Sequence, residues 1–312
     1  MEGHLKTISQ LYKYKPIRPY TGLLGTIPIR NKDVFVGVEV ELEGIGDGAY
    51  INSCLAVHED HSLKVNGLEF VTIPLQLKYL EVELNRLFYG LRNNPTIISS
   101  RCSTHVHVNV RDMTVDQLVN MVILYMIFER SLFRISGDRH LSNFCVPLYS
   151  SPNIVTNLFL YSKNIPNWGW YKYSALNLSP IWGGESQTIG TVEFRHMHGS
   201  TNTKEIVDWC TVITSLKRAA QEFDQEELLA HVRTMNTTSG YYWLASEVFG
   251  KWSKMLTRLP EFQEDTEDCI TNLKYVLSYS LLKNKAKPSP KTISVNLTQE
   301  EVANVWTSLD NF

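Results

Sequence analysis

A short run near residue 40 alternates between apolar and acidic side chains, and this alternation constrains the fold more than any other feature. From Gly37 to Glu43 the sequence reads G-V-E-V-E-L-E. Successive side chains of a β-strand point to opposite faces, so the apolar residues face one side and the glutamates face the other. A half-exposed antiparallel strand has this pattern without any function, and the run alone predicts only a strand with one apolar face.

Three further segments show the same alternation. They are Leu68–Ile73, Thr104–Val110 and Thr191–His196, whose polar positions include an H-x-H pair and an E-x-R pair. Each segment alone has an ordinary explanation, such as surface imidazoles or a solvated ion pair. If the four strands share one sheet with a common core face, the opposite face gathers seven ionisable side chains: Glu39, Glu41, Glu69, His105, His107, Glu193 and Arg195.

This cluster of carboxylates indicates a metal site. Carboxylates packed this closely repel one another unless cations neutralise them. Oxygen ligands with one or two imidazoles suit Mg²⁺ or Mn²⁺, and an arginine beside them suits a phosphate. Metals, an arginine and a phosphate together indicate phosphoryl transfer. The sequence has no G-x-x-x-x-G-K-[ST] loop and no dinucleotide fingerprint, so a nucleotide would bind through metals and side chains.

The order of the periodic segments predicts an α+β fold. Strand-like and helix-like segments mix over residues 34–224, and only helical spacing follows over residues 225–312. Residues 1–33, with several Pro and Gly, are predicted to form an N-terminal arm. Capping boxes at residues 114–117 and 298–301 each predict the start of a helix. We therefore expect an N-terminal arm, a catalytic domain and a helical C-terminal region packed on that domain.

Composition and charge argue against several classes of protein. The formal net charge of -2 gives no electrostatic bias toward nucleic acid or membranes. The longest apolar run, Met121–Phe128, is too short to span a bilayer, and the N-terminus lacks the apolar segment of a signal peptide. Five widely spaced cysteines without a C-x-x-C pair argue against a disulfide framework. We expect a cytoplasmic protein in a reducing compartment.

Six motifs occur in a fixed order along the chain. They are G-V-E-V-E-L (Gly37–Leu42), D-x-S-L (Asp60–Leu63), L-E-F-V-x-x-P (Leu68–Pro74), H-V-H-V (His105–Val108), Y-x-A-L-N-L (Tyr173–Leu178) and T-V-E-F-R (Thr191–Arg195). In order and spacing, the chain resembles the amidoligase family over about residues 34–220. That family lies within the glutamine synthetase and glutamate–cysteine ligase superfamily of carboxylate–amine ligases.

The resemblance implies a strongly curved antiparallel sheet that holds ATP and two or three Mg²⁺ or Mn²⁺ ions. ATP would phosphorylate a carboxylate, and an amine would then displace phosphate from the acyl phosphate to give an amide. Amidoligases of this type are often encoded by bacteria and phages, which implies the cytoplasm of a bacterial cell or of an infected host. The small-molecule or peptide substrates and the oligomeric state are left open by the motifs.

The resemblance also implies roles for the acidic and histidine residues. Glu39, His105 and Glu193 resemble the ligands of the metal ion that holds the γ-phosphate. Glu41 and Glu69 resemble ligands of a metal ion near the amine and carboxylate substrates, where Glu69 would also take part in catalysis.

Three residues resemble groups that contact the nucleotide. Arg195 resembles the arginine that stabilises the transferred phosphate, and His107 resembles a residue close to the nucleotide. Arg139 resembles an arginine that binds phosphate or a substrate carboxylate, although a surface ion pair with a nearby acid is an alternative reading.

Three other residues resemble parts of the substrate pocket. Asp60 would orient or deprotonate the amine, or it forms a turn. Tyr173 and Asn177 would line the substrate site, or they serve in packing and turn capping. The chain departs from the family pattern at Ser103 and Thr104, because a glycine usually precedes the histidine pair.

Two other functions are compatible with the residues. A metal-dependent hydrolase or oxygenase would use His105, His107 and Glu193 and would need no ATP, but it leaves the other carboxylates and the arginine without a role. A catalytically inactive binding or particle-associated protein would keep the fold alone. A complete ligand set argues against it, because repelling carboxylates cost stability and a decayed site would be expected to lose them.

Overall fold

The computed structural model describes residues 6–17, 20–22, 25–27, 34–46, 55–151, 170–182 and 189–285. The helices are α1 (Ile8–Leu11), α2 (Leu77–Leu91), α3 (Val115–Ile135), α4 (Thr203–Glu222), α5 (Gln225–Thr234), α6 (Thr238–Phe249), α7 (Ser253–Thr257) and α8 (Phe262–Lys285). The strands are β1 (Tyr20–Gly22), β2 (Gly25–Ile27), β3 (Phe35–Leu42), β4 (Leu55–Glu59), β5 (Leu68–Thr72), β6 (Leu75–Gln76), β7 (Ser103–Asn109), β8 (Leu176–Asn177) and β9 (Thr191–His198). Short 3₁₀ helices occur at Leu148–Ser150, Ser179–Ile181 and Gly250–Trp252.

Seven of the described strands form one antiparallel sheet. The strand order is β4-β5-β3-β7-β9-β8, and β6 pairs with the start of β3. The register between β3 and β7 places Glu39 directly opposite His105, and the register between β3 and β5 places Glu41 opposite Glu69. Strands β1 and β2 form a separate two-stranded sheet. The four segments predicted to share a sheet are therefore neighbours in it.

One face of the large sheet is apolar and forms the core with the helices. Val38 and Val40 of β3 and Val106 and Phe194 of neighbouring strands are fully buried on this face. Helix α3 is buried on nearly all sides, and both α4 and α8 pack against it. Because apolar side chains alternate along each strand, one face of the sheet is apolar and is buried against the helices. The opposite face carries the polar side chains.

Helix α3 begins where the sequence predicts it. The Thr114 side chain accepts a hydrogen bond from the backbone of Gln117, whose side chain bonds back to Thr114. This capping box satisfies two of the donors that a helix N-terminus leaves unpaired. The capping box predicted at residues 298–301 lies outside the described residues.

The prediction of an α+β fold with an antiparallel sheet is confirmed. Helices α5 to α8 follow the sheet region along the chain, as the helical spacing predicts, and α8 packs along α3. The domain boundaries near residues 34 and 225 remain predictions. In the part of the chain that the structure describes, no helix combines the length and apolarity that crossing a membrane requires.

Candidate metal and phosphate site

Three of the predicted ligands, Glu39, His105 and Glu193, lie together on the face of the sheet opposite the core. They come from the adjacent strands β3, β7 and β9, and one ligand atom from each lies within 4.8 Å of the others. Nδ1 of His105 is 3.2 Å from Glu39 Oε2 and 3.4 Å from Glu193 Oε1. Directly opposed residues on one face of antiparallel strands are close neighbours, and Glu39 stands opposite His105. The site offers a cation two carboxylates and one imidazole.

The hydroxyl of Ser103 decides which nitrogen of His105 carries the proton. It lies 2.5 Å from Glu41 Oε2 and 2.8 Å from His105 Nε2. An ionised carboxylate can only accept, so the single hydroxyl proton goes to Glu41, and the hydroxyl oxygen accepts from Nε2–H of His105. In the neutral imidazole, Nδ1 then carries a lone pair that faces two carboxylates. A divalent cation placed between these three groups would be bound by all of them.

This donor set fits Mg²⁺ or Mn²⁺. Carboxylate oxygens with one imidazole are the ligands these ions accept, and a hydrogen bond at the far nitrogen is the usual way in which a metal-binding histidine is oriented. Burial raises the pKa of Glu39, but His107 and His105 outweigh burial and hold it well below its usual range. Burial likewise raises the pKa of Glu193, while His107, Arg195 and His105 lower it overall. Both carboxylates are therefore ionised at neutral pH, as metal binding requires.

His107 lies on the same face, beside these three ligands. Its Nδ1 is 2.9 Å from the hydroxyl of Thr191, and its Nε2 is 3.0 Å from Glu39 Oε1. The second contact has ion-pair distance but poor hydrogen-bond geometry. Burial lowers the pKa of His107, yet the Glu39 and Glu193 carboxylates raise it above its ordinary value. A protonated imidazole in this place adds positive charge beside the carboxylates of Glu39 and Glu193.

Both oxygens of Glu193 have partners within the protein. Arg195 forms an ion pair with Oε1, and the amide of Asn177 donates to Oε2 at 2.7 Å. Asn177 is itself held by Ser179, whose backbone and hydroxyl both donate to its side-chain oxygen. Arg195 also donates from Nε to the carbonyl of Phe144 at 2.9 Å. Asn177 thus orients Glu193, and a direct contact with substrate remains a prediction.

Arg139 lies next to Arg195 but bonds to backbone. It donates to the carbonyls of Arg195 at 3.0 Å and Met197 at 3.4 Å, and burial lowers its pKa. No carboxylate among the described residues lies within ion-pair distance of Arg139, so the alternative of a surface ion pair does not describe its contacts. Tyr173 lies close by, with its ring centroid 5.9 Å from Cζ of Arg195.

Acidic residues occupy the other side of the three-ligand cluster. Glu41 accepts from the backbone of Ser103 at 2.8 Å as well as from its hydroxyl, and Glu69 stands opposite Glu41 in the register. Burial, together with Glu39, Glu41 and Asp60, raises the pKa of Glu69 to about 7. Like charges therefore meet at Glu69, and the positive charge of His107 offsets them only in part.

Asp60 lies at the edge of this acidic region. It caps a turn by accepting from the backbone of Ser62 at 2.8 Å. It also lines an open cavity of about 530 Å³, with Glu59, His61 and Lys64 among its neighbours. The turn accounts for an Asp at this position. The role of Asp60 toward an amine stays a prediction.

Three residues that contact the site were not among the predicted site residues. Ser103 links Glu41 to His105, Thr191 accepts or donates at His107, and the carbonyl of Phe144 holds Arg195. Ser103 stands near the position where the family pattern has glycine, and Thr191 begins the T-V-E-F-R motif. The contact of Thr191 with His107 depends on the pairing of β7 with β9, and that of Phe144 depends on a backbone carbonyl, which no motif records.

Comparison with known proteins gives a family match over part of the chain. Residues 45–162 match a family model described as "Putative amidoligase enzyme". The match covers a little over a third of the chain and includes Asp60, Glu69, His105, His107 and Arg139. Glu39, Glu41 and Glu193 lie outside it. Among curated proteins, none matches the sequence.

One similar solved structure is the complex between the prokaryotic ubiquitin-like protein Pup and its ligase PafA. The identity is 12%, the alignment covers 90% of this chain and 69% of that one, and the TM-score is 0.37. Neither the substrate nor the partner of that ligase is assigned to this chain. The family match over residues 45–162 confirms that the chain resembles the amidoligase family.

Proposed function

We propose that the protein is an ATP-dependent carboxylate–amine ligase that forms an amide bond through an acyl phosphate. The observation that carries the proposal is the position of His105 Nδ1, which lies 3.2 Å from Glu39 and 3.4 Å from Glu193, beside Arg195. A bare cluster of this kind is unfavourable, and a divalent cation together with phosphate would satisfy the carboxylates and the arginine at once.

Glu39, His105 and Glu193 would hold one Mg²⁺ or Mn²⁺ ion, and Glu41 with Glu69 would contribute to a second. When bound, such ions neutralise phosphate charge and align the reacting groups. The resemblance to amidoligases implies two or three ions.

Arg195 would bind the phosphate that is transferred. Its guanidinium pairs with Glu193 Oε1 and with the carbonyl of Phe144. A metal ion on Glu193 would compete with this ion pair and free the guanidinium for a bidentate contact with phosphate. His107 and Arg139 would add positive charge on the nucleotide side, which lowers the cost of placing a triphosphate next to carboxylates.

The amine would approach from the acidic side. Glu69 and Asp60 lie there, and a cationic amine is attracted to their carboxylates before it loses its proton. Asp60 would orient or deprotonate it, and Tyr173 would contact the substrate or nucleotide from the arginine side. The substrates themselves are a small-molecule or peptide amine and carboxylate, in the cytoplasm of a bacterial cell or an infected host.

A hydrolase or oxygenase that uses His105, His107 and Glu193 is less well supported by the geometry. The compact set of ligand atoms contains Glu39 and not His107, whose nitrogens face Glu39 and the Thr191 hydroxyl. An inactive binding protein would have no need of the paired contacts that keep Glu193 and His105 oriented.

Calorimetric titration with ATP tests the proposal. We expect ATP to bind in Mg²⁺ or Mn²⁺ and not in chelator, and we expect Glu193→Gln to abolish the metal-dependent part. Glu205→Gln, in helix α4 away from the three ligands, is the matched control. Equal ATP binding in chelator, or none in either condition, contradicts the ligase proposal. A screen for ADP release against amine and carboxylate libraries, with product mass measured, then identifies the substrates.

A further inference from the structure

Three aromatic side chains, Phe144, Tyr171 and Tyr173, form a surface beside Arg195 that we call the aromatic platform. The ring centroid of Tyr173 lies 5.5 Å from that of Phe144 and 5.4 Å from that of Tyr171, and both pairs meet edge to face. Phe144 remains 49% exposed and Tyr171 46% exposed. Single exposed aromatics are common, but a contiguous group next to a polar site indicates a binding surface.

The aromatic platform is attached to the backbone that positions Arg195. The carbonyl of Phe144 accepts from Arg195 Nε at 2.9 Å, and the carbonyl of Tyr173 accepts from the backbone of Val146 at 2.8 Å. Two cations flank the central ring, since Arg195 Cζ lies 5.9 Å and Lys172 Nζ 4.7 Å from the centroid of Tyr173. The surface therefore joins flat apolar rings to positive charge, on two stretches of chain that are hydrogen-bonded to each other.

Charge also distinguishes the two sides of the site. Glu41, Glu69 and Asp60 lie toward β5 and β4, where a polyphosphate would be repelled. Arg195 and Arg139 lie toward β9 and β8, on the side of the aromatic platform. A ligand with an anionic end and a planar end is complementary only to the side that carries Arg195, Arg139 and the aromatic platform.

We propose that the aromatic platform binds the base of the nucleoside triphosphate, with the phosphates at Arg195 and the three ligands Glu39, His105 and Glu193. The inference rests on the proposed function. The chain has no glycine-rich phosphate loop, so the phosphates would be held by the three ligands and Arg195, and the aromatic platform lies beside that arginine. Stacking on aromatic rings is tolerant of base identity, because every base has a π-face. ATP and GTP should therefore bind with similar affinity.

The test compares two probes by calorimetry on the full chain in Mg²⁺. ATP carries a base, and inorganic tripolyphosphate carries only the phosphates. We expect Phe144→Ala and Tyr171→Ala each to raise the Kd for ATP by about tenfold, and to leave the Kd for tripolyphosphate unchanged. Tyr89→Ala, at a 67% exposed aromatic of helix α2, is the matched control. Melting in chelator verifies that each variant is folded.

The other outcomes overturn the inference in distinguishable ways. If the two variants raise the Kd for ATP and the Kd for tripolyphosphate equally, the rings act only through Arg195. Unchanged ATP affinity in both variants, with normal binding by the wild type, assigns the aromatic platform to another ligand and leaves the proposed function standing. Failure of the wild type to bind ATP in Mg²⁺ removes the proposed function and this inference together.

Discussion

The hydroxyl of Ser103 accepts a hydrogen bond from Nε2 of His105 at 2.8 Å. Its own proton is donated to Glu41, so in the neutral imidazole the serine selects the tautomer whose Nδ1 lone pair faces the other two ligands. The Ser103 hydroxyl therefore links Glu41 to His105 and, through His105, to Glu39 and Glu193.

Ser103→Ala removes this selection. We expect Mn²⁺ affinity, measured by calorimetry, to fall by about 10- to 100-fold, the range found when a group that orients a metal ligand is lost. The melting temperature in chelator should change much less, because Glu41 keeps its bond to the backbone of residue 103. Ser200→Ala, a hydroxyl bonded to Glu205 instead, is the control. Unchanged metal affinity in Ser103→Ala would show that His105 is oriented by other means.

Arg195→Lys keeps a positive charge and loses the bidentate geometry. The interaction with the transferred phosphate strengthens mainly in the transition state, so we expect ADP release in Mg²⁺ to fall by about 10²- to 10³-fold while the fold survives. Arg130→Lys, at a surface ion pair of helix α3 with Asp268, is the control. If Arg195→Lys retains near-normal turnover, the phosphate role belongs to another group, and Arg139 is the next candidate.

Glu69→Gln removes one member of a group of like charges. Burial and three neighbouring carboxylates already raise its pKa to about 7, so at pH 8 the ionised side chain is unfavourable in the apo protein. We expect the variant to melt at the same or a higher temperature than the wild type in chelator at pH 8. Adding Mg²⁺ and ATP should raise the melting temperature of Glu69→Gln by less than that of the wild type, because this stabilisation depends on ligand affinity. A much lower melting temperature in chelator would make Glu69 a structural residue.

Glu129 offers a test in the core, away from the metal ligands. Its carboxylate accepts from the hydroxyl of Tyr125 at 2.7 Å and from the backbone of Leu148 and Tyr149. Burial nevertheless raises its pKa from 4.5 to about 7. A carboxyl group with a raised pKa in the folded state contributes stability that is complete below pH 4.5 and is lost as the pH rises through 7.

Glu129→Gln abolishes this titration. Relative to the variant, the wild type should lose up to about 3 kcal/mol of unfolding free energy between pH 5 and pH 8, measured by urea denaturation. His196, whose pKa burial lowers to about 3, titrates in the opposite sense but is present in both proteins, so its contribution cancels in the difference. A difference that is constant over this pH range would mean that Glu129 is ionised throughout.

The periodicity of the sequence determined which side chains share a face. Alternation along β3, β7 and β9 predicts that Val38 and Val106 are buried and that Glu39, His105 and Glu193 face the other way, and the structure agrees. This inference succeeds because the two-residue period of a strand is a local property of the backbone. The capping box of α3 succeeded for the same reason.

Only the tertiary structure decided which of those side chains meet. Glu39 lies opposite His105 because of the β3–β7 register, and register depends on pairing between segments far apart in sequence. The partners of Arg195 and Glu193 illustrate the limit. The carbonyl of Phe144 reaches Arg195 from outside the strands, and the amide of Asn177 reaches Glu193 because β8 pairs with β9. Local periodicity assigns a face, whereas long-range packing sets the distances at which a cation, a phosphate and a base can be bound together.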